Sequence, residues 1–167
     1  PITSAEDMVR ALSCRLTFFL SAGCVVSDHS LEGCFYVPCT AARANAVFEK
    51  RMNGGILTEK ELGMYKGFLL TNLGRMYHRH NIVMQLHIKA LRNNAKRMFR
   101  LLGADTGFDS MNDFAFAPML GAFLNDMDED NALPKTVLYS LNPGDNPMLA
   151  SMAGNCTAPG VRSKVQF

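Results

Sequence analysis

The sequence predicts an α/β fold of about four parallel strands joined by helices, and three observations predict it. Short apolar runs rich in β-branched residues recur at 24–28, 82–88, 136–141 and 164–167. Longer segments between them carry apolar residues at helical spacing. Strands and helices alternate along the chain instead of clustering, the pattern of successive β/α units with right-handed crossovers.

Each element has a local reason. Thr3 followed by Glu6 forms a capping box, and Val9, Leu12, Leu16, Phe19 and Leu20 continue a helix over about residues 4–22 that Gly23 stops. The run 24–28 then reads as a short buried strand ending at the Asp28 carboxylate. A second helix covers about 40–52 and dies at Asn53-Gly54-Gly55. Thr58 and Glu61 form another capping box, opening a longer helix on which Leu62, Tyr65, Leu69, Leu73, Met76 and Tyr77 share a face. It leads into the strand 82–88, too short and too β-branched for a helix of its own, and a polar, cationic loop follows. Leu120, Phe123, Leu124 and Met127 mark a helix over 117–127, 136–141 a third strand, and Pro147 the first turn of a short helix to about Ala153. The run 164–167 begins a fourth strand, and no repeat or low-complexity segment interrupts the series.

Composition excludes several function classes. A chain of 167 residues with 48% hydrophobic and 19% charged residues suits one globular domain, and a net charge of +2 selects no partner. No apolar run approaches the length of a membrane span, and the start Pro1-Ile2-Thr3-Ser4 has no basic-then-apolar signal pattern, so neither insertion nor export is expected. Five cysteines without a C-x-x-C pair fit reduced thiols and a cytoplasmic location. The set Cys24, His29, Cys34 and Cys39 matches no usual zinc spacing, so these cysteines read as small buried hydrophobes.

Chemistry is expected at the ends of the first two strands. In parallel β/α folds the reacting groups sit at strand C-termini, where Asp28, His29 and His87 fall. The alternative is that Asp28 caps a turn and His87 is a satisfied core histidine. Arg92, Asn93 and Asn94 follow the His87 strand, where a guanidinium fork can grip a carboxylate in bidentate fashion; the plainer alternative is a solvated cationic helix start. Lys89, Arg92, Lys96, Arg97 and Arg100 form a basic run, but only Phe99 interleaves as an aromatic and the rest of the chain is not basic, so nucleic-acid binding is not expected. His78-Arg79-His80 looks like a metal motif, yet it ends a helix and so belongs to the rim opposite the strand C-termini.

The motifs Ser27-Asp28-His29, Met84-Gln85-Leu86-His87-Ile88, Arg92-Asn93-Asn94, Arg97-Met98-Phe99-Arg100-Leu101-Leu102-Gly103, Asp105-Thr106-Gly107-Phe108-Asp109-Ser110, Leu133-Pro134-Lys135-Thr136, Tyr139-Ser140-Leu141-Asn142-Pro143 and Lys164-Val165-Gln166-Phe167 stand in that order. Together they closely resemble the uronate isomerase (glucuronate isomerase) family, a branch of the amidohydrolase superfamily of metal-dependent β/α barrels. The resemblance implies that residues 1–167 are one partial domain, an internal to C-terminal piece of a (β/α)8 TIM-like barrel covering well under half of a family member.

It also implies an aldose-ketose isomerase of uronic acids that interconverts D-glucuronate with D-fructuronate and D-galacturonate with D-tagaturonate. Asp28, His87 and Arg92 would contact the sugar, with His29, Asn93 and Asn94 as secondary candidates. The cofactor implied is a divalent metal, expected to be zinc, whose H-x-H and aspartate ligands would precede Pro1 and follow Phe167, as would the catalytic base. No metal ligand is then expected in this chain, and the piece alone is expected to be inactive. Two departures lie in the substrate loop: Lys89 where the family often has glycine, and Ala95 where it has a third asparagine. A hydrolase of the same superfamily is the rival reaction, disfavoured by the run Asp105 to Ser110; a non-catalytic structural or binding piece is the other rival. An arc of four parallel strands would leave two free edges and a bare inner face, so self-association or a complementary segment is expected.

Overall fold

The structure is a computed structural model and describes all residues except 158, 161 and 162. Helix α1 (Ala5–Ser21) is followed by strand β1 (Val26–Leu31), helix α2 (Ala41–Met52) and helix α3 (Glu59–Arg79). Strand β2 (Val83–Ile88) leads into the short strand β3 (Ala90–Leu91), helix α4 (Lys96–Leu102) and the short strand β4 (Ser110–Met111). Helix α5 (Ala117–Asp128), strand β5 (Thr136–Ser140), a 3-10 turn (Pro143–Asp145), helix α6 (Asn146–Asn155) and strand β6 (Val165–Gln166) complete the order.

The four longer-range strands form one parallel sheet in the order β1-β2-β5-β6, as the alternating pattern predicts. Three local expectations need correction. The first helix is capped by Ser4, whose hydroxyl accepts from the Asp7 amide, while Asp7 in turn accepts from Thr3; Thr3 and Glu6 do not form the box. β1 runs to Leu31 instead of ending at Asp28, because its ladder with β2 continues to the pair Leu31 and Ile88. The segment after His87 is not a plain loop: β3 and β4 close an antiparallel ribbon around α4.

Helices α1, α3, α5 and α6 bury apolar side chains against one side of the sheet. Met84, Leu86 and Ile88 of β2, Leu138 of β5 and Val165 of β6 are buried in one cluster with Leu16 of α1, Leu70, Met76 and Tyr77 of α3, Leu120, Phe123, Leu124 and Met127 of α5, and Leu149 of α6. Each such side chain contributes about 1.5–3 kcal/mol by leaving water. α3 carries glycines because the chain after β1 lies directly on it: a Cβ at Gly63 would stand 2.5 Å from Cys34 Sγ and 2.9 Å from Val37 Cγ2, and the Val37 amide donates to the Gly63 carbonyl at 3.1 Å.

Side chains alternate across a strand, so the other side of the sheet receives Val26, Asp28 and Ser30 of β1, Val83, Gln85 and His87 of β2, and Val137 and Tyr139 of β5. Among the described residues no helix covers this face. Parallel sheets normally bury both faces, and here the second is polar and half exposed.

Candidate active site

The site is assembled by the strand register. Ser30 lies opposite His87, and His87 opposite Tyr139, so three neighbouring strands present their side chains in one row near their C-terminal ends. Asp28 stands one alternation below Ser30 on the same face.

His87 is the centre of the row. Its Nδ1 lies 2.6 Å from Asp28 Oδ1, and because an ionised carboxylate only accepts, Nδ1 carries the proton and donates. Its ring lies flat on Tyr139, with centroids 4.6 Å apart and planes 8° from parallel. The His87 and Asp28 side chains are 43% and 61% exposed, so the pair faces the open side and not the core. An exposed imidazole with one nitrogen fixed by a carboxylate presents the other to whatever binds.

Arg92 closes one end of the row. Its guanidinium donates to Asp109 Oδ2 at 2.7 Å and to Ser30 Oγ at 3.4 Å, with Glu32 Oε1 3.5 Å from Nε. The fork that the sequence assigns to an incoming carboxylate is thus already turned toward two carboxylates of the chain itself. Asp109 also accepts from the Asn93 amide at 2.8 Å; that hydrogen bond first, and the Arg92 fork second, hold its carboxyl below the ordinary value. Asn93 takes a left-handed backbone, φ 56°, and the Asn94 side-chain Nδ2 donates to Leu91 O at 2.8 Å and to Ser110 Oγ. In this structure both asparagines shape the loop.

His29 does not join the row. One residue on from Asp28, it points through the sheet to α3, where Nε2 shares a 3.0 Å hydrogen bond with the Tyr77 hydroxyl. Burial there pushes its pKa below the ordinary value, partly opposed by the Asp28 charge. His78 shares a 3.0 Å hydrogen bond with the Leu133 carbonyl just before β5, which puts the H-x-H motif at the N-terminal rim as expected. Cys24 and Cys39 spend their thiols on backbone carbonyls of Val26 and Met64, and among the described residues no three His, Cys, Asp or Glu side chains gather as metal ligands.

Sequence reasoning missed the residue that organises the rim. Lys89, two residues past His87, is buried at φ 69°, a left-handed conformation that costs a side-chain-bearing residue on the order of 1 kcal/mol. Its ammonium bridges Asp145 at 2.9 Å and Asp113 at 3.1 Å, and Asp145 also accepts from Ser140 Oγ at 2.5 Å. Burial opposes the charge, and the hydrogen bonds that the ammonium donates to these two carboxylates outweigh it, holding the lysine above its ordinary pKa. The ends of β2 and β5 are thereby tied to each other. The signal in the sequence was a lysine at a position where the family often has glycine, which the left-handed backbone explains.

The family model for glucuronate isomerase matches residues 1–167. The chain belongs to this family. It is 47% identical over 167 residues to a uronate isomerase of Salmonella heidelberg, covering 99% of this chain and 36% of that relative. It is 44% identical over 166 residues to one from Clostridium perfringens, with coverages of 99% and 36%. The chain therefore spans about a third of the length of the curated relatives it matches. Among solved structures it is similar to uronate isomerase from Thermotoga maritima, with TM-score 0.82 and 36% identity over 90% of this chain and 33% of that one. Its fold also matches glucuronate isomerase from Caulobacter crescentus at TM-score 0.81 and 24% identity, over 98% of this chain and 33% of that one.

Proposed function

We propose that this glucuronate isomerase family segment serves an aldose-ketose isomerase of uronic acids, D-glucuronate to D-fructuronate and D-galacturonate to D-tagaturonate, in cytoplasmic uronate catabolism. The observation that carries the reading is the Asp28–His87 pair on the open face of the sheet, in a chain matched from end to end by the family. The reaction moves a proton between C2 and C1 of the open-chain sugar through an enediol, so the sugar hydroxyls and carboxylate must be held in one geometry throughout. Asp28 keeps the proton on Nδ1, which leaves Nε2 of His87 to accept from a sugar hydroxyl. Arg92 supplies a cation at the end of the row, and a uronate carboxylate reaching it competes with Asp109 and Glu32.

Within the amidohydrolase superfamily reading, a divalent metal, zinc by expectation, belongs to the complete site. The described residues of this chain do not fit such an ion by themselves. Asp28 and His87 spend a carboxylate oxygen and a ring nitrogen on each other, and a tight zinc site needs three or four converging ligands. These residues orient the sugar, and the base and metal ligands lie elsewhere. Five free thiols support the cytoplasmic placement. The outer edge of β1 pairs with no strand among the described residues, which supports association with a complementary segment or a second copy.

The test is a uronate isomerase assay with metal analysis, run on the purified 167-residue chain and on the full-length protein carrying it. The expected outcome is turnover of D-glucuronate by the longer protein, with neither turnover nor stoichiometric zinc in the short chain. A longer protein that isomerises no uronate would sink the reading, and turnover with bound metal in the short chain would show that the site is misplaced.

A further inference from the structure

We propose that Tyr139 is a positioning residue, one that fixes the plane of the His87 imidazole so that Asp28 takes Nδ1–H and Nε2 is presented to the open face. Two constraints are needed to hold an imidazole. The torsion that turns a histidine ring is broad and carries little preference of its own, so packing and hydrogen bonds must set it. The Asp28 hydrogen bond, 2.6 Å from Nδ1, fixes where one nitrogen sits but leaves the ring free to pivot about the N–H···O line. A flat wall removes that freedom, and Tyr139 supplies it, stacked at 4.6 Å and 8°.

Two further observations make the wall fixed in place. His87 and Tyr139 are direct ladder partners of β2 and β5, so their Cβ atoms leave the sheet side by side. Lys89 and Ser140, close to each in sequence, are bound to the same Asp145 carboxylate, which pins the two strand ends in register. The stack is therefore built by the backbone before any ligand arrives. Tyr139 is 39% exposed, so its ring contributes surface to the site and not bulk to the core.

The isomerase reading is needed only for the activity arm of the test. In the first arm, nuclear magnetic resonance at one fixed pH compares the His87 ring protons in the wild-type chain, Tyr139→Leu and Tyr139→Phe. Expected are cross-relaxation between the His87 and Tyr139 rings, an upfield ring-current shift at His87 that Tyr139→Leu abolishes, and its retention in Tyr139→Phe. Identical His87 shifts in wild type and Tyr139→Leu overturn the proposal, and so does absence of cross-relaxation in the wild type, which requires no variant to fold. In the second arm, the full-length isomerase carrying Tyr139→Leu loses about tenfold in kcat/KM, mainly through kcat, with Tyr139→Phe recovering most of the loss. A phenylalanine variant as damaged as the leucine one would mean that the hydroxyl acts directly, and positioning would be the wrong role. A wild-type enzyme inactive on every uronate would break the isomerase reading, while the resonance arm still decides the place of Tyr139.

Discussion

Two histidines one strand apart meet tyrosines on opposite faces of the same sheet. His29 of β1 leans on Tyr77 of α3 with ring centroids 5.8 Å apart and planes tilted by 33°, half-buried behind the sheet, where desolvation pushes its pKa below the ordinary value. His87 of β2 lies flat on Tyr139, in the open, with a carboxylate on its proton. The Asp28 charge acts on both, yet only His87 takes its hydrogen bond. The face of the strand, and not the residue or its neighbour in sequence, thus separates a histidine packed against a helix from one presented on the open side. The same alternation gives β2 its two trades: Met84, Leu86 and Ile88 hold the core while Gln85 and His87 face the site.

The largest expected effect sharpens that division within a single strand. Leu86→Ala, at a fully buried position, should cost about 2–5 kcal/mol in urea unfolding. His87→Ala or Asp28→Ala should instead lower kcat/KM of the full-length enzyme by tenfold to a thousandfold, about 1.4–4 kcal/mol of transition-state stabilisation, with stability changed by less than about 0.5 kcal/mol. Wild-type kinetics in both would remove the pair from the site. Loss of stability with activity kept would make His87 a packing residue like His29.

A smaller effect is expected at the clamp between the strand ends. Lys89→Met strands the mostly buried Asp145 carboxylate and should destabilise by about 2 kcal/mol, read from the urea midpoint. If Lys89→Met unfolds like wild type, the rim is held by the ribbon of β3 and β4 and not by charge.

The smallest effect separates the two histidines by pH. The folded-state pKa of His29 lies below its ordinary value of 6.5, so the unfolded chain binds the proton more readily than the folded one. Its contribution is therefore complete above about pH 6.5 and declines as pH falls below it. Unfolding midpoints between about pH 7.5 and 5.5 should fall in wild type and fall less in His29→Gln. Equal slopes in the two proteins would mean that His29 is not the buried group titrating there.

The succession of elements and the motifs near strand ends follow from local signals in the chain. Helical spacing in 59–79, the Thr58–Glu61 capping box and the β-branched runs are local signals, and local hydrogen bonding and side-chain entropy read them directly. His87 near the end of β2 was legible because parallel units put polar strand ends on one rim, whereas Asp28 stands in the middle of β1 and shares its face by alternation. Register arises only when the strands meet, and it separates Asp28 from His29, sets Tyr139 against His87 and carries β1 past the carboxylate to Leu31. A shift of one residue would exchange the faces of every side chain, and no local propensity resists that shift. The partners of Lys89 were hidden for the same reason: Asp113 and Asp145 lie 24 and 56 residues away, and only the folded chain brings their carboxylates to the buried ammonium.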